Sequence, residues 1–381
     1  MIQTLSITNG QAMPLSKKQD NHGSCRPTGK TNGCPKLTNG NGASENDPVQ
    51  GVATDTRTPS ERSEDISHVL VTGGAGYLGS CLVPMLLQRG YKVTVYDTFD
   101  RGVTSLLPVA GDANLALVRG DVRDQELLSR AVQQVDTVVH LAAVVGYPAC
   151  SRDPELATSV NVHGTQVLLR CLQPHQRLVY ASTGSCYGAV PNGLCTEETP
   201  ISPLSLYGRT KAEAEREVLD RGGVALRLAT VFGVSPRMRL DLLVNDLTLR
   251  ALREKTLNVY EADFHRTFIH VKDAAQAFIF AIDNYDAMKD RPFNVGDDAM
   301  NMTKGQVAAR IRDKVPGSSV VLSDDGQDHD MRNYKVSHSK IRGLGFRATL
   351  TIDQGIGELI KVLPQMSFSE LAASRNVTNG I

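Results

Sequence analysis

The stretch Val69–Gly79, read as VLVTGGAGYLG, decides the fold that the sequence predicts. A short β-branched run leads into a turn with glycine at every third position, and helical periodicity follows to Arg89. Gly73 allows the tight turn, Gly76 lets backbone N–H groups approach a pyrophosphate, and Gly79 lets the helix pack closely on the strand. We interpret the stretch as a strand, a phosphate-binding turn and the start of a helix.

Outward from this turn, β-branched runs alternate with helical segments as far as Phe232. Such alternation predicts an α/β fold of the Rossmann type, with a doubly wound parallel sheet. The irregular pattern beyond it predicts a smaller C-terminal substrate-binding lobe over the carboxyl ends of the strands. The predicted strands are His68–Thr72, Lys92–Tyr96, Leu115–Arg119, Thr137–Leu141, Arg177–Ala181 and Val224–Leu228.

The domain organisation follows from these patterns. The nucleotide-binding domain is predicted at 67–232, with 266–285 returning to it, and the lobe at 233–365. Residues 1–66 contain no aromatic residue and are rich in Thr, Asn, Gly, Ser and Pro, which predicts a disordered tail. Residues 366–381 are predicted to be a flexible C-terminal tail.

Composition excludes several classes of function. Forty-one basic and 41 acidic residues give a formal net charge of +0, which disfavours binding to nucleic acid or to an anionic membrane. Neither a membrane span nor a secretory signal is predicted, so we expect a cytoplasmic protein. Seven cysteines without a framework spacing are typical of reduced thiols. His22, Cys25 and Cys34 would make a poor zinc site, so no metal is predicted.

An acidic residue at the end of the second strand predicts the cofactor. Asp97 stands eighteen residues beyond Gly79. At that place a carboxylate accepts hydrogen bonds from both hydroxyls of an adenosine ribose and repels a 2′-phosphate. The turn and Asp97 together therefore predict NAD rather than NADP.

Further motifs resemble those of the extended short-chain dehydrogenase/reductase family, in its NAD-dependent epimerase/dehydratase branch that includes the UDP-glucose 4-epimerases. The resemblance covers about Ser67–Val362, and its motifs stand in order: Arg119–Val122, His140–Ala143 and then Asn161. It implies that Asp121 lines the adenine pocket and that the stretch after His140 runs beneath the cofactor phosphates and ribose. The cofactor-binding residues implied in full are Gly73, Gly76, Tyr77, Leu78, Gly79, Asp97, Asp121, Val122, Leu141, Ala142, Ala143, Tyr207 and Lys211.

A phenol and an ammonium four residues apart predict proton-transfer chemistry. Tyr207 and Lys211 would share one face of a helix. A nearby cation stabilises phenolate and so lowers the phenol pKa from about 10 toward neutrality. An ordinary surface pair has the same spacing, but Tyr180–Gly188 also resembles the family's fifth-strand motif, with Thr183 at the position of its catalytic hydroxyl. The predicted catalytic residues are therefore Thr183, Tyr207 and Lys211.

The residues after Thr183 restrict the reaction. Relatives that resemble sugar 4,6-dehydratases carry Asp-Glu where this chain has Gly184 and Ser185. Decarboxylase relatives place Glu, and 3,5-epimerase relatives place Cys, at the position of Ser185; Cys186 is one position out of register. Elimination of water needs such an additional acid and base. The sequence therefore favours a 4-epimerase or a simple reductase.

The lobe supplies the predicted substrate contacts. Arg266–Asp273 resembles the family motif in which the arginine grips the diphosphate of a nucleotide sugar, whereas His270 is expected to be structural. Two positions depart from the family pattern: Thr230 replaces an asparagine and Gln327 replaces a second arginine. The predicted substrate-binding residues are Thr183, Thr230, Arg237 and Arg266, although Arg237 and its neighbour Arg239 fit solvated surface equally well.

Two enzymatic hypotheses remain. The leading one is an NAD-dependent epimerase of a nucleotide sugar, which oxidises a sugar hydroxyl transiently and returns the hydride. The alternative is an NAD(P)-dependent reductase or dehydrogenase of a non-nucleotide metabolite, favoured by Thr230 and Gln327. A non-enzymatic NAD-binding scaffold is disfavoured because Thr183, Tyr207 and Lys211 are all present. A homodimer is left open.

Overall fold

Fourteen strands occur in the residues that the computed structural model describes, which are 67–188, 190, 193–323, 326 and 333–376. The predicted N-terminal tail with His22, Cys25 and Cys34, and also Gln327, lie outside this part of the chain. The strands are β1 His68–Thr72, β2 Lys92–Asp97, β3 Leu115–Arg119, β4 Thr137–His140, β5 Arg177–Thr183, β6 Leu194–Cys195, β7 Val224–Leu228, β8 Thr230–Phe232, β9 Thr256–Tyr260, β10 His265–His270, β11 Pro292–Val295, β12 Asn301–Thr303, β13 Ser319–Ser323 and β14 Lys335–Val336.

Thirteen α-helices connect these strands within the described residues. They are α1 Gly79–Gln88, α2 Gln125–Val132, α3 Tyr147–Arg152, α4 Pro154–Thr158, α5 Gly164–Cys171, α6 Leu206–Asp220, α7 Leu243–Arg253, α8 Val271–Asp283, α9 Tyr285–Met288, α10 Lys304–Lys314, α11 Ser339–Gly343, α12 Ile352–Val362 and α13 Phe368–Ala373. None of the helices in the described residues is long and apolar enough to cross a membrane.

A seven-stranded sheet organises the molecule, with the order β3-β2-β1-β4-β5-β7-β11. Every neighbouring pair in it is parallel. The predicted α/β fold with a doubly wound sheet is therefore confirmed. The strand order reverses between β1 and β4, where such sheets open a crevice at their carboxyl ends.

Both faces of the sheet are covered by apolar side chains. Helices α1 and α8 pack on one face, and α2, α5 and α6 pack on the other. A separate core joins α7, α10 and α12 in the lobe. The five cysteines in the described residues are all buried.

Two boundaries differ from the expected organisation. Besides 266–285, the chain returns to the main sheet at β11, which pairs with β7. Its four residues begin with a proline and are too short to show a clear period. The stretch expected to be a C-terminal tail contains α13, whose capping box joins Ser367 and Glu370.

Candidate active site

A cleft of about 1130 Å³ lies at the carboxyl ends of the sheet strands and is bordered by the lobe. Sites for one small ligand are typically about 300–1,000 Å³, so this cleft is large enough for a dinucleotide. The predicted cofactor and substrate residues that line it are Gly73, Gly76, Tyr77, Leu78, Gly79, Asp97, Asp121, Val122, Leu141, Ala142, Ala143, Thr183, Tyr207, Lys211, Thr230, Arg237 and Arg266.

The glycine-rich turn between β1 and α1 forms a cradle against the backbone. Gly73 has φ +71°, and a Cβ placed on it would lie 2.7 Å from the Ala142 backbone nitrogen. A Cβ on Gly79 would lie 2.6 Å from the Gly73 carbonyl oxygen. The N-cap residue of α1, Leu78, makes no side-chain capping bond. The cradle and the helix N-terminus therefore fit a bound diphosphate, as NAD requires.

Asp97 is fixed at the end of β2 by the loops on either side. Its carboxylate accepts hydrogen bonds from the backbone nitrogens of Ala75, at 3.0 Å, and Phe99, at 2.9 Å. Burial raises the pKa of Asp97, whereas these two bonds oppose the rise. The carboxylate is thus held in one orientation at the cleft wall, where it fits the ribose role predicted for it.

The next two strands complete the cofactor wall. The Tyr96 hydroxyl donates to the Asp121 carbonyl oxygen at 2.9 Å, and hydrogen bonds from Arg123 lower the pKa of the Asp121 carboxyl. The Thr72 backbone carbonyl accepts from the Leu141 nitrogen at 3.1 Å. Hydrogen bonds therefore connect the carboxyl end of β2 to the loop after β3, and the end of β1 to the loop after β4, beneath the cleft.

The predicted catalytic residues converge on this cleft from two elements. Thr183 is the last residue of β5, is 7 % exposed, and accepts a hydrogen bond from the Ser185 nitrogen at 3.1 Å. Tyr207 lies in the first turn of α6, which is capped by Ser205 through the Gly208 nitrogen.

Lys211 lies one turn further along α6 and is 2 % exposed. Its Nζ is 4.0 Å from the centre of the Tyr180 ring. Burial lowers the pKa of the ammonium to about 7, and the charge of Glu215 opposes this shift. Lys211 is therefore close to its midpoint of titration at neutral pH.

Asn161 is not part of the cleft lining, but it connects the loop after β4 to helix α6. It lies in a π-helical turn, Ser159–His163, and such turns are frequent at functional sites. Its amide nitrogen donates to the Val144 carbonyl oxygen at 3.0 Å and to the Thr210 hydroxyl at 3.1 Å. Asn161 thereby ties the loop after β4 to the residue beside Lys211.

The three-stranded sheet β12-β10-β8 and the lobe contribute the remaining wall. Thr230, on β8, and the buried Arg266, on β10, both line it. His270 does not belong to the lining; its Nε2 lies 3.1 Å from a Glu358 carboxylate oxygen. Eight of the described lining residues are Lys or Arg and five are Asp, so the cleft is net positive.

Several lining residues were missed by the sequence analysis. Arg101 follows Asp97 by four residues, and this nearness is a signal that could have found it. Lys304 follows the helix-capping Thr303 and is buried with its ammonium 2.8 Å from Glu261. Asn376 carried no signal, because it lies in a stretch with the composition of a tail.

The doubly wound sheet, the glycine cradle and the Thr-Tyr-Lys group define an enzyme of the extended short-chain dehydrogenase/reductase class. The chain belongs to the NAD-dependent epimerase/dehydratase family, whose model matches residues 69–296. Its cofactor is accordingly NAD, and the family prediction made from the motifs is confirmed.

Two relatives and one solved structure illustrate the similarity. The low-salt glycan biosynthesis protein Agl12 of Haloferax volcanii is 30 % identical over 76 % of this chain and 96 % of its own length. UDP-glucose 4-epimerase 4 of Oryza sativa is 30 % identical over 67 % and 78 %. The dTDP-glucose 4,6-dehydratase DesIV of Streptomyces venezuelae, crystallised with NAD and TYD, is 25 % identical with a TM-score of 0.70, covering 78 % of this chain and 97 % of that one.

Proposed function

We propose that this enzyme is an NAD-dependent epimerase of a nucleotide sugar. The observation that carries the proposal is the chemistry around Thr183, which offers a hydroxyl and a phenol but no additional carboxylate. The five acidic residues of the described lining lie on other segments, and the two residues after Thr183 are Gly184 and Ser185. Elimination of water would need another acid and base beside Thr183.

The catalytic roles follow from the positions of the three residues. Tyr207 removes the proton from a sugar hydroxyl and later returns it. Thr183 donates a hydrogen bond to the same oxygen, and Lys211 stabilises the phenolate by its charge while binding ribose hydroxyls. NAD, held by the turn around Gly73 and by Asp97, would supply the hydride acceptor for the sugar carbon, and return of the hydride to the opposite face of the ketone would invert that centre.

The charge of the cleft supports a diphosphate ester as the substrate. Arg266 is the lobe arginine predicted to grip that group, and Lys304 lies in the same wall. Thr230 is kept as a substrate contact. Relatives named for UDP-glucose and dTDP-glucose support the same class of substrate. The homodimer and the cytoplasmic location stay predictions from the sequence.

The proposal is tested with the purified protein and a panel of UDP-, GDP- and dTDP-sugars. We expect NAD to be released on denaturation, and we expect an isomeric sugar of unchanged mass without net formation of NADH. Tyr207→Phe should slow this conversion by about 10²- to 10⁴-fold. A product lighter by one water would contradict the proposal in favour of a dehydratase. Stoichiometric oxidation of NADH by a non-nucleotide ketone would replace it with the reductase alternative.

A further inference from the structure

Two arginines and one asparagine meet at the edge of the cleft from three distant parts of the chain. Arg101 comes from the loop after β2, Arg237 from the loop before α7, and Asn376 from beyond α13. Arg237 Nη2 donates to the Asn376 side-chain oxygen at 3.0 Å, and Arg101 Nη2 donates to the Asn376 backbone oxygen at 3.3 Å. All three residues line the cleft. Asn376 is thus the link between the two guanidinium groups.

This group of residues lies beside the phosphate-binding turn. The Arg237 backbone nitrogen is 3.4 Å from the hydroxyl of Ser80, which is in the first turn of α1. The Ser235 hydroxyl donates to the Tyr77 carbonyl oxygen at 2.6 Å. The loop that carries Arg237 is therefore attached to the helix N-terminus at which a dinucleotide places its diphosphate.

The positive charge at this place is incompletely compensated by the part of the chain that the structure describes. Arg239 pairs with Asp241, but neither Arg101 nor Arg237 forms an ion pair with another described residue. Burial, together with the charges of Arg101 and Arg239, lowers the pKa of Arg237 to about 10. Holding like charges together in a partly buried place is unfavourable unless an anion binds there.

The residues that deliver Asn376 are anchored on the lobe. We call residues 367–376 the C-terminal strap. Its Leu371 is buried in the lobe core, and its Ser374 carbonyl oxygen accepts from the Leu240 nitrogen at 2.9 Å. Arg375 contacts Asp246 at 3.0 Å. The contact of Asn376 with Arg101 connects this anchored segment to the loop after β2.

We propose that Arg101 and Arg237 clamp the diphosphate of NAD, and that Asn376 of the C-terminal strap orients both guanidinium groups and retains the cofactor. An arginine has five N–H donors, so contacts to Asn376 leave donors for phosphate oxygens. The proposal reassigns Arg237 from the substrate to the cofactor. It concerns the cofactor alone and holds for either reaction weighed above.

The test measures how fast the cofactor leaves, which requires no knowledge of the substrate. Protein loaded with NADH is mixed with excess NAD, and the loss of bound NADH fluorescence gives the release rate. We expect R101A and R237A to release NADH about ten- to a hundred-fold faster, the range for loss of a charge-assisted hydrogen bond. N376A should accelerate release by a smaller factor. Release from the wild type should also quicken with salt, and less so in R101A and R237A.

Arg89→Ala serves as the matched control, because Arg89 is an exposed arginine at the far end of α1 that pairs with Asp283. It should leave the release rate unchanged. Melting temperatures of all variants establish that they are folded. Release at the wild-type rate from R237A and N376A would overturn the proposal. Weakened UDP binding by R237A at an unchanged release rate would also overturn it, by returning Arg237 to the substrate. Failure of the epimerase assay would not alter the release rates, so the two proposals can fail separately.

Discussion

Lys211 is predicted to assist catalysis, but its burial lowers the stability of the fold. An ammonium that is nearly inaccessible to solvent loses its hydration, and this loss holds its pKa at about 7 instead of 10.5. In the proposed mechanism this charge acts on Tyr207, one turn earlier on α6, in a medium that screens little. The residue predicted to activate the phenol is therefore one that the fold would be more stable without.

The stability cost of Lys211 is measurable in the cofactor-free protein. Lys211→Met should raise the melting temperature by about 2–8 °C at neutral pH, since methionine fills a similar volume without a buried charge. The unfolded chain binds more protons than the folded one between pH 7 and 10.5, so the wild type gains stability as the pH rises through this window. The advantage of the variant should therefore shrink toward pH 10.5 in thermal unfolding at a series of pH values. A difference in melting temperature between variant and wild type that did not change with pH would contradict the proposal that Lys211 is a destabilising buried cation.

Tyr207→Phe separates chemistry from binding. The ring remains and the hydroxyl is lost, so NAD content should be unchanged while turnover falls by about 10²- to 10⁴-fold. The measurement is initial rate with the sugar identified by the panel, together with NAD released on denaturation. Tyr91→Phe is the control, because the Tyr91 hydroxyl contacts Asp283 on the surface. Turnover of Tyr207→Phe at the wild-type rate would refute the assignment of the acid–base residue.

Asp97→Ala tests the choice of cofactor. The variant loses the acceptor for the ribose hydroxyls and the charge that repels a 2′-phosphate, so affinity for NAD should fall and discrimination against NADP should relax. Titration of the cofactor-free protein with both dinucleotides gives the two affinities. Asp112→Ala, in the loop before β3, is the control. An unchanged ratio of affinities would place the ribose elsewhere.

A buried ion pair joins α6, which carries Tyr207 and Lys211, to the neighbouring strand β7. Glu215, on α6, accepts from Arg227 Nη2, on β7, at 2.7 Å, and the two side chains are 2 % and 4 % exposed. Ser182, which precedes Thr183 on β5, donates its hydroxyl to the same carboxylate. The elements that carry Thr183, Tyr207 and Lys211 therefore share one polar contact beneath the cleft.

Breaking that pair from one side should be costly. Glu215→Ala leaves Arg227 charged and buried, so the free energy of unfolding should fall by about 3–5 kcal/mol. The double variant Glu215→Leu with Arg227→Met buries no charge and should lose much less. Urea unfolding of both in one buffer checks this, with Glu126→Ala as a control, because Glu126 belongs to an exposed pair on α2. Equal losses in the single and double variants would show that packing, not charge, sets the cost.

The sequence predicted the elements wherever a period was long enough to read. Strands β1, β3 and β7 match the predicted bounds, because each is a short, mainly apolar run with clear boundaries. Strand β11 was missed because four residues show no usable period. Helix α13 was missed because the composition of its surroundings outweighed the Ser367–Glu370 capping signal.

The site was predictable to the extent that its residues stand in motifs along the chain. Local spacing pointed to the turn around Gly73 and to the Tyr207–Lys211 pair. Contacts between residues far apart in the sequence could not be predicted in this way. Asn376 reaches Arg101, 275 residues earlier, only because the lobe core anchors the C-terminal strap. Charged lining such as Lys304 also resembles ordinary helix surface in the sequence.

Deletion within the N-terminal segment 1–66 would test how much of the chain the enzyme needs. Its composition predicts that it adds nothing to the core, so deletion of residues 1–62 should leave NAD binding and turnover unchanged. Thermal unfolding should shift by no more than a surface change of about ±0.5 kcal/mol would cause. A larger loss of melting temperature would count against a disordered tail.

The C-terminal strap has a practical consequence for anyone who expresses the protein. An affinity tag fused after Ile381 is separated by five residues from Asn376, which lines the cleft. A tag placed ahead of Met1 is instead separated by 66 residues from the first described residue, Ser67. Foreign sequence is therefore nearer along the chain to a cleft-lining residue at the carboxyl terminus than at the amino terminus, so amino-terminal fusion is the better first choice.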